Sequence, residues 1–250
     1  MDGGIGLIWF ILMLIAIGVL FGFATGFYAL SALFVPACSS KPDLKTVVEK
    51  RDDNPAKGQK RILIAYNTKN GGSAEIGLKI REILRRNGYS VDLRYIPRLI
   101  DEDISHYDGF IVGGAIYWSM FLRETREFIA KHAELFKQKP TALYMVCGKM
   151  CNLFAPKLQG DEAKWRKLSL DYLEPMFATL PDLKPHLVDI GTFAGNIYFK
   201  FMNLPEFMLM GLQMHRTGLK QGSYVDLDKV AAWTESLVTD FGEKGLRASH

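Results

Sequence analysis

Cysteine is scarce in this chain: Cys38, Cys147 and Cys151 are the three in 250 residues. Three thiols cannot build a disulfide framework, so the fold has to rest on an apolar core, which 48% hydrophobic residues can supply. The spacing in "CGKMC" (147–151) is not that of a zinc knuckle, and no second pair completes a metal site. Small side chains near a strand end are the plain reading of both thiols, and a redox pair is the alternative. A strong charge bias is also lacking. Thirty-one basic residues against 27 acidic ones leave +4, partly placed just after an apolar stretch, which does not argue for a nucleic-acid partner, and none is expected. Gly-Lys-Ser/Thr and G-x-G-x-x-G are both missing, which excludes a Walker loop and the dinucleotide fingerprint. Internal repeats and low-complexity tracts are missing too.

The longest gap is in charge. From Gly3 to Ser40 there is no charged residue, and "IGLIWFILMLIAIGVLFGFATGFYALSALFV" (5–35) is apolar almost throughout. About 20 such residues span a bilayer core, so one transmembrane helix is expected within residues 1–40, with length to spare for tilt. A cleaved signal needs a basic start and a shorter core, whereas this chain opens "MDGG". "VPAC" before Ser39 hints at a lipoprotein site at Cys38, but Pro36 suits that cleavage poorly. No basic residue precedes the stretch, while Lys41, Lys45, Lys50 and Arg51 follow it. That asymmetry implies a single-pass protein of the inner membrane with its carboxyl side in the cytoplasm and the lipid bilayer as a partner.

Residues 41–60, "KPDLKTVVEKRDDNPAKGQK", read as a charged linker broken by Pro42, Pro55 and Gly58. Beyond it strands and helices alternate. "RILIAY" suits a strand buried on both faces, and "SVDLRYI" alternates like a strand nearer an edge. "YDGFIVGGAIYW", "PTALYMVCG" and "HLVDIGTF" supply three more. Helices are expected over Ser73–Asn87, from about Phe121 to Phe136, within Glu162–Phe177, and over Asp226–Phe241. The last is capped by Asp226 and buries Val230, Trp233 and Leu237. Such alternation gives a five-stranded parallel sheet with helices on both faces, occupying residues 61–250.

Ligands of such sheets bind beyond the carboxyl ends of the strands. "NTKNGGSAEIG" (67–77) lies there, between the first strand and the first helix. Exposed amides at a helix start carry partial positive charge and suit a phosphate. Gly71 and Gly72 let the backbone curl, Thr68 and Ser73 bring hydroxyls, Asn70 suits a turn and Lys69 adds charge. Taken alone, this loop supports phosphate binding and an ordinary turn equally. The loop "GGAIYWSMF" (113–121) adds a glycine pair, Tyr117 and Trp118 at the next strand end, and "VCGKM" adds Gly148. A flat aromatic cofactor needs such close backbone approach and such cover, although Tyr117 and Trp118 would also serve to pack a helix.

On these motifs the stretch from Arg61 to about Val238 resembles the flavodoxin family. Within it, the chain is most similar to the flavodoxin-like, menaquinone-dependent protoporphyrinogen oxidases of bacteria. "ILIAYNTKNGGS" is similar to their phosphate loop, and "DGFIVGGAIYWS" to their "D-x-x-x-x-G-A-S-I-R-Y-G" segment. "FLRETREFIAKH", "FMLMGLQMHRTG" and "SYVDLDKVAAW" resemble later segments. The resemblance implies FMN, with Thr68, Lys69, Asn70, Gly71, Gly72 and Ser73 at its phosphate. It also implies Ala115, Ile116, Tyr117 and Trp118 along the ring, with Cys147 and Gly148 beyond. Asn67 replaces a Ser of the family pattern, and Tyr117-Trp118-Ser119 replaces Arg-Tyr-Gly, while residues 148–186 match poorly.

The implied activity is an FMN-dependent oxidoreductase at the membrane, passing electrons from a reduced substrate to a quinone or a respiratory component, as in porphyrin biosynthesis. A flavin performs the redox step itself, so no side chain is nominated as acid or base. The alternative is a tethered flavodoxin carrying electrons for protein partners. A scaffold without cofactor is the reading opposed by Gly71, Gly72 and Ser73. Residues 196–220 are rich in Phe and Met; a helix packed on the sheet is the plain expectation, and an adaptable surface for quinone, porphyrinogen or bilayer the other. Lys200, His215 and Arg216 read either as partners of substrate carboxylates or as a solvated face.

Overall fold

The computed structural model describes residues 47–53, 55–199, 202 and 204–246. The expected transmembrane segment, Cys38 and Lys200 lie outside the described residues. Among those described, no helix is long and apolar enough to cross a membrane.

β1 (Arg61–Asn67) is buried on both faces, as its apolar run predicts: Leu63 and Ala65 enter one core, Ile62, Ile64 and Tyr66 the other. It pairs in parallel with β2 (Ser90–Tyr95) and with β3 (Gly109–Tyr117). β5 (Thr141–Val146) continues in parallel from β3, and β6 (Leu187–Phe193) from β5. The resulting order is β2-β1-β3-β5-β6. Because the chain reverses direction of travel across the sheet between β1 and β3, a crevice opens at their carboxyl ends.

The sheet has six strands rather than the expected five. β4 (Met120–Phe121) folds back antiparallel on the end of β3, with Ile116 opposite Phe121 and Tyr117 opposite Met120. The hairpin turn consists of Trp118 and Ser119, both at positive φ (49° and 65°). Two consecutive left-handed residues close a two-residue hairpin, a place where Asn-Gly is usual. Tyr117 and Trp118 therefore sit on a strained turn, not on a loop leading straight into a helix.

Helices cover both faces. α1 (Gly72–Arg86) and α7 (Leu227–Glu243) share one core through Ile76, Ile80 and Leu84 with Val230, Leu237 and Phe241. Asp226 caps α7 as expected, accepting from the amides of Asp228 and Lys229 at 3.1 Å each. Trp233 is only half-buried: its ring meets Phe193 edge-on and its indole N–H donates to Asp189 at 2.6 Å. The opposite core is covered by α2 (Arg123–Lys131), α3 (Ala133–Gln138), α4 (Glu162–Leu170), α5 (Glu174–Thr179) and α6 (Leu204–Thr217).

The single helix expected over 121–136 is thus two helices broken at His132 (φ −107°, ψ 13°), and Phe121 belongs to β4. The helix expected within 162–177 is likewise split, and Pro175 opens the second piece, where its missing N–H has no partner to lose. Residues 47–53 are more than a linker. Lys50 exchanges backbone hydrogen bonds with Leu93 (2.9 and 2.7 Å) and so covers the edge of β2, while Val48 bonds the Tyr66 hydroxyl through both its N–H and its C=O (2.7 Å each). A covered edge cannot pair with another chain. Arg98 and Arg94 bond Glu49 at 2.6 and 3.0 Å. Although burial pushes the Glu49 carboxyl up, these bonds hold it below its usual value.

Candidate functional site: a cavity and groove at the β1/β3 crevice

The loop after β1 is shaped by two local devices. Gly71 sits at φ 83°, a conformation costly for any residue with a Cβ, and this turn lets α1 start at Gly72. The Thr68 hydroxyl accepts the Gly71 N–H at 3.0 Å and closes the turn. No side chain caps α1; the Ala74 and Glu75 amides donate to the Gly71 carbonyl (3.0 and 3.1 Å), which leaves those of Gly72 and Ser73 for another acceptor. The Ser73 hydroxyl is buried and has no hydrogen-bond partner, nor has the side-chain oxygen of Asn70. Buried polar groups are nearly always bonded, so a bare hydroxyl at an uncapped helix start marks a place built for a ligand.

The helix start is fixed from below. Tyr144 on β5 donates to the Ser73 carbonyl at 2.9 Å. Its ring passes so close to Gly113 that an added Cβ there would lie 2.0 Å from it. Gly113 and Gly114 pair within β3, against Tyr66 and Asn67 on one side and Tyr144 and Met145 on the other. Gly113 therefore makes room for Tyr144, not for a cofactor as the sequence suggested.

From above, the loop is held by β7 (Asn196–Ile197), which pairs with β8 (Gly222–Ser223), and by α6. Asn70 and Asn196 exchange side-chain amide to backbone carbonyl hydrogen bonds at 3.3 and 3.2 Å. Lys69, whose side chain is 2% exposed, ion-pairs with Glu206 of α6 at 2.5 Å, and its ammonium lies 3.7 Å from the centre of the Tyr117 ring. The charge expected beside a phosphate is thus shared with a carboxylate and an aromatic face.

These parts enclose a cavity of about 80 Å³. Ten of the twelve residues expected at the site line it: Thr68, Lys69, Asn70, Gly72, Ser73, Ala115, Ile116, Tyr117, Cys147 and Gly148. Gly71 turns the loop without lining it. Trp118 lines a neighbouring groove of about 240 Å³, which shares Ile116, Tyr117, Cys147, Gly148 and Met210 with the cavity. Ser119, Lys149, Tyr172, Glu206, Leu209 and Gln213 complete that groove. Sequence reading missed Gly195 and Asn196, which also line the cavity, as does Met202 of the Phe- and Met-rich stretch. The first two follow β6, whose carboxyl end reaches the same edge, and that position was the available signal.

Cys147 and Cys151 are free, buried thiols. Burial pushes the Cys147 thiol up despite its 3.2 Å contact with the Ser169 hydroxyl, and burial pushes Cys151 up to about 12. Neither forms the thiolate that redox exchange requires near neutral pH, so the packing role stands over the redox pair.

A profile of the flavodoxin domain matches residues 63–223, well over half of the chain. The chain belongs to the flavodoxin domain family. FMN is its cofactor. The residues present fit that group: the uncapped α1 start and the bare Ser73 hydroxyl suit a phosphate, and the groove beside Tyr117 and Trp118 suits a flat ring. Among curated proteins, the chain is 27% identical over 86 residues to protoporphyrinogen IX dehydrogenase [quinone] of Escherichia coli strain K12. That match covers 34% of this chain and 48% of the relative, so the chain spans about half the length of the curated relatives it matches. Among solved structures, a short-chain flavodoxin associated with a PDU bacterial microcompartment is 12% identical with a TM-score of 0.43, over 73% of this chain and 99% of that one. Oxidised flavodoxin 1 from Bacillus cereus is 11% identical with a TM-score of 0.40, over 72% and 97%.

Proposed function

We propose that this flavodoxin-domain protein is a membrane-anchored, FMN-dependent oxidoreductase that passes electrons from a reduced small molecule to a quinone. The observation that carries the reading is the joining of the cavity at the uncapped start of α1 to the groove beside Tyr117 and Trp118, which together suit a phosphate and a flat ring.

Bound FMN supplies the redox chemistry. The chain's own residues bind, orient and exclude water. The Gly72 and Ser73 amides and the Ser73 hydroxyl hold the phosphate, while Tyr144 keeps that turn in place from below. Ile116, Tyr117 and Trp118 wall the groove on one side, with Leu209 and Met210 on the other. Apolar walls favour a flat, weakly hydrated ring, while the Lys149 ammonium is turned to the Leu168 carbonyl (2.8 Å) and the Tyr172 face. The relative from Escherichia coli is named for oxidising protoporphyrinogen IX with a quinone, which makes that donor the first to try. The charge-free residues 5–35 and the basic residues after them support anchorage with the domain in the cytoplasm.

The test is purification of the full-length protein in detergent, with an absorption spectrum and extraction of the bound cofactor, followed by anaerobic turnover. Yellow protein releasing FMN, and oxidation of protoporphyrinogen coupled to reduction of a menaquinone analogue, are expected. Colourless protein that gains no flavin bands with added FMN overturns the reading. So does flavin-loaded protein that reduces no quinone from any small donor and exchanges electrons only with other proteins.

A further inference from the structure

Helix α6 presents two unlike faces. Its inner face directs Glu206, Met210 and Met214 toward the site and the core. Its outer face leaves Met208 65%, Leu212 58% and Phe207 46% exposed, a density of bare large apolar groups found in no other helix among the described residues. Charge is arranged to match. Between residues 204 and 225 the one carboxylate is Glu206, buried against Lys69, whereas Arg216 and Lys220 are exposed. An apolar helix face flanked by cations and free of exposed acid fits an anionic lipid surface better than water.

The described chain enters at the same edge of the sheet, though on the opposite face. Val48 is bonded to the Tyr66 hydroxyl near the carboxyl end of β1 and Val47 packs against the α1/α7 core, whereas α6 packs on the other core. Six residues separate Ser40, where the charge-free stretch ends, from Val47. Fully extended, that tether reaches at most ~25 Å.

We propose that the outer face of α6 lies in the headgroup boundary of a bilayer, so that the groove beside Tyr117 opens toward lipid. The inference rests on the membrane reading given above. It assigns Met208 and Leu212 the task of docking the groove where a lipid-soluble acceptor is concentrated.

The test uses the full-length chain with Cys38→Ser as background, since Cys147 and Cys151 are buried. Nitroxide labels are placed one at a time through Met208→Cys and Leu212→Cys, with Ser236→Cys on α7 as the control on the other face of the sheet. The protein is reconstituted in vesicles of phosphatidylcholine and phosphatidylglycerol, and collision rates are read with oxygen and with an aqueous nickel chelate. Labels at 208 and 212 are expected to lose nickel access several-fold relative to 236 while gaining oxygen access. Vesicle-bound protein with equal nickel access at all three positions overturns the docking and leaves the anchor standing. Failure to float with vesicles overturns both. Loss of both nickel and oxygen access means that protein covers the face, and dipolar broadening between labels identifies a second copy; either result overturns lipid as the occupant.

Discussion

The two loops that frame the crevice are built in opposite ways. The loop after β1 is polar and almost wholly buried, tied down by Tyr144 from below and by Asn196 and Glu206 from above. The turn after β3 is aromatic, partly exposed and strained, with Trp118 and Ser119 both left-handed. Recognition of a charged group demands donors fixed in advance, because reorienting them at binding would cancel the gain. Covering a flat ring demands only a surface, and a turn with stored strain can supply it near the solvent. The first loop therefore depends on distant residues for its shape, and the second on its own backbone.

Breaking the upper tie of the first loop should have the largest effect. Glu206→Ala leaves the buried Lys69 ammonium without its carboxylate, and loss of one member of a buried pair costs about 3–5 kcal/mol. Thermal unfolding followed by circular dichroism in detergent measures it. The double variant Lys69→Met with Glu206→Leu should recover most of the loss, because no uncompensated charge remains. Little loss in the single variant would show that the loop holds itself.

Ser73→Ala separates ligand binding from folding. The hydroxyl has no partner in the protein, so stability should stay within about 0.5 kcal/mol of the parent. FMN affinity should fall roughly ten- to a hundred-fold, the worth of a hydrogen bond to a charged group (about 1.5–3 kcal/mol). Fluorescence titration of apoprotein with FMN reads it. A stability loss with unchanged affinity would reverse the assignment.

In the second turn the prediction has the opposite sign. Ser119→Gly removes a Cβ from a residue at φ 65° and should stabilise the fold by up to about 1 kcal/mol, visible as a raised Tm. The reverse change in the first loop, Gly71→Ala, should destabilise, since there the left-handed position already holds glycine.

The smallest effect concerns pH and lies away from both loops. Burial, and then the charge of Lys131, pulls His132 below its ordinary value of 6.5, and its Nε2 is buried without a partner. The unfolded chain therefore binds a proton at His132 before the folded one does, and this contribution to stability is lost as pH falls below 6.5 toward the folded pKa. His132→Phe, which keeps a ring against Phe128 and Phe136, should flatten that part of the stability–pH curve between pH 7 and 5. An unchanged slope assigns the pH dependence to other groups.

Much of the fold was legible before any coordinates. The apolar run of β1, the amphipathic spacing of α1 and the Asp226 cap each follow from local chemistry, and each lies where the residues put it. The hairpin at Trp118–Ser119 was not legible, because neither residue favours a left-handed turn and only the pairing of Tyr117 with Met120 imposes it. Residues 47–53 were read as linker for a related reason: nothing in "VVEKRDD" announces that Lys50 will bond Leu93. The break at His132 was hidden by a helical pattern that runs through it without a proline or glycine.

The sequence by itself determined a parallel sheet with helices on both faces, and a glycine-turned, hydroxyl-bearing helix start at the end of its first strand. Periodicity and turn chemistry act over a few residues, and those features need no more. The tertiary structure alone decided where the charge of Lys69 goes, which glycine serves Tyr144, and what seals the loop from above. The partners that settle these points lie 137, 31 and 126 residues away. Electrostatic and steric contacts between groups so far apart in the chain leave no pattern in its local composition, and only packing brings them together.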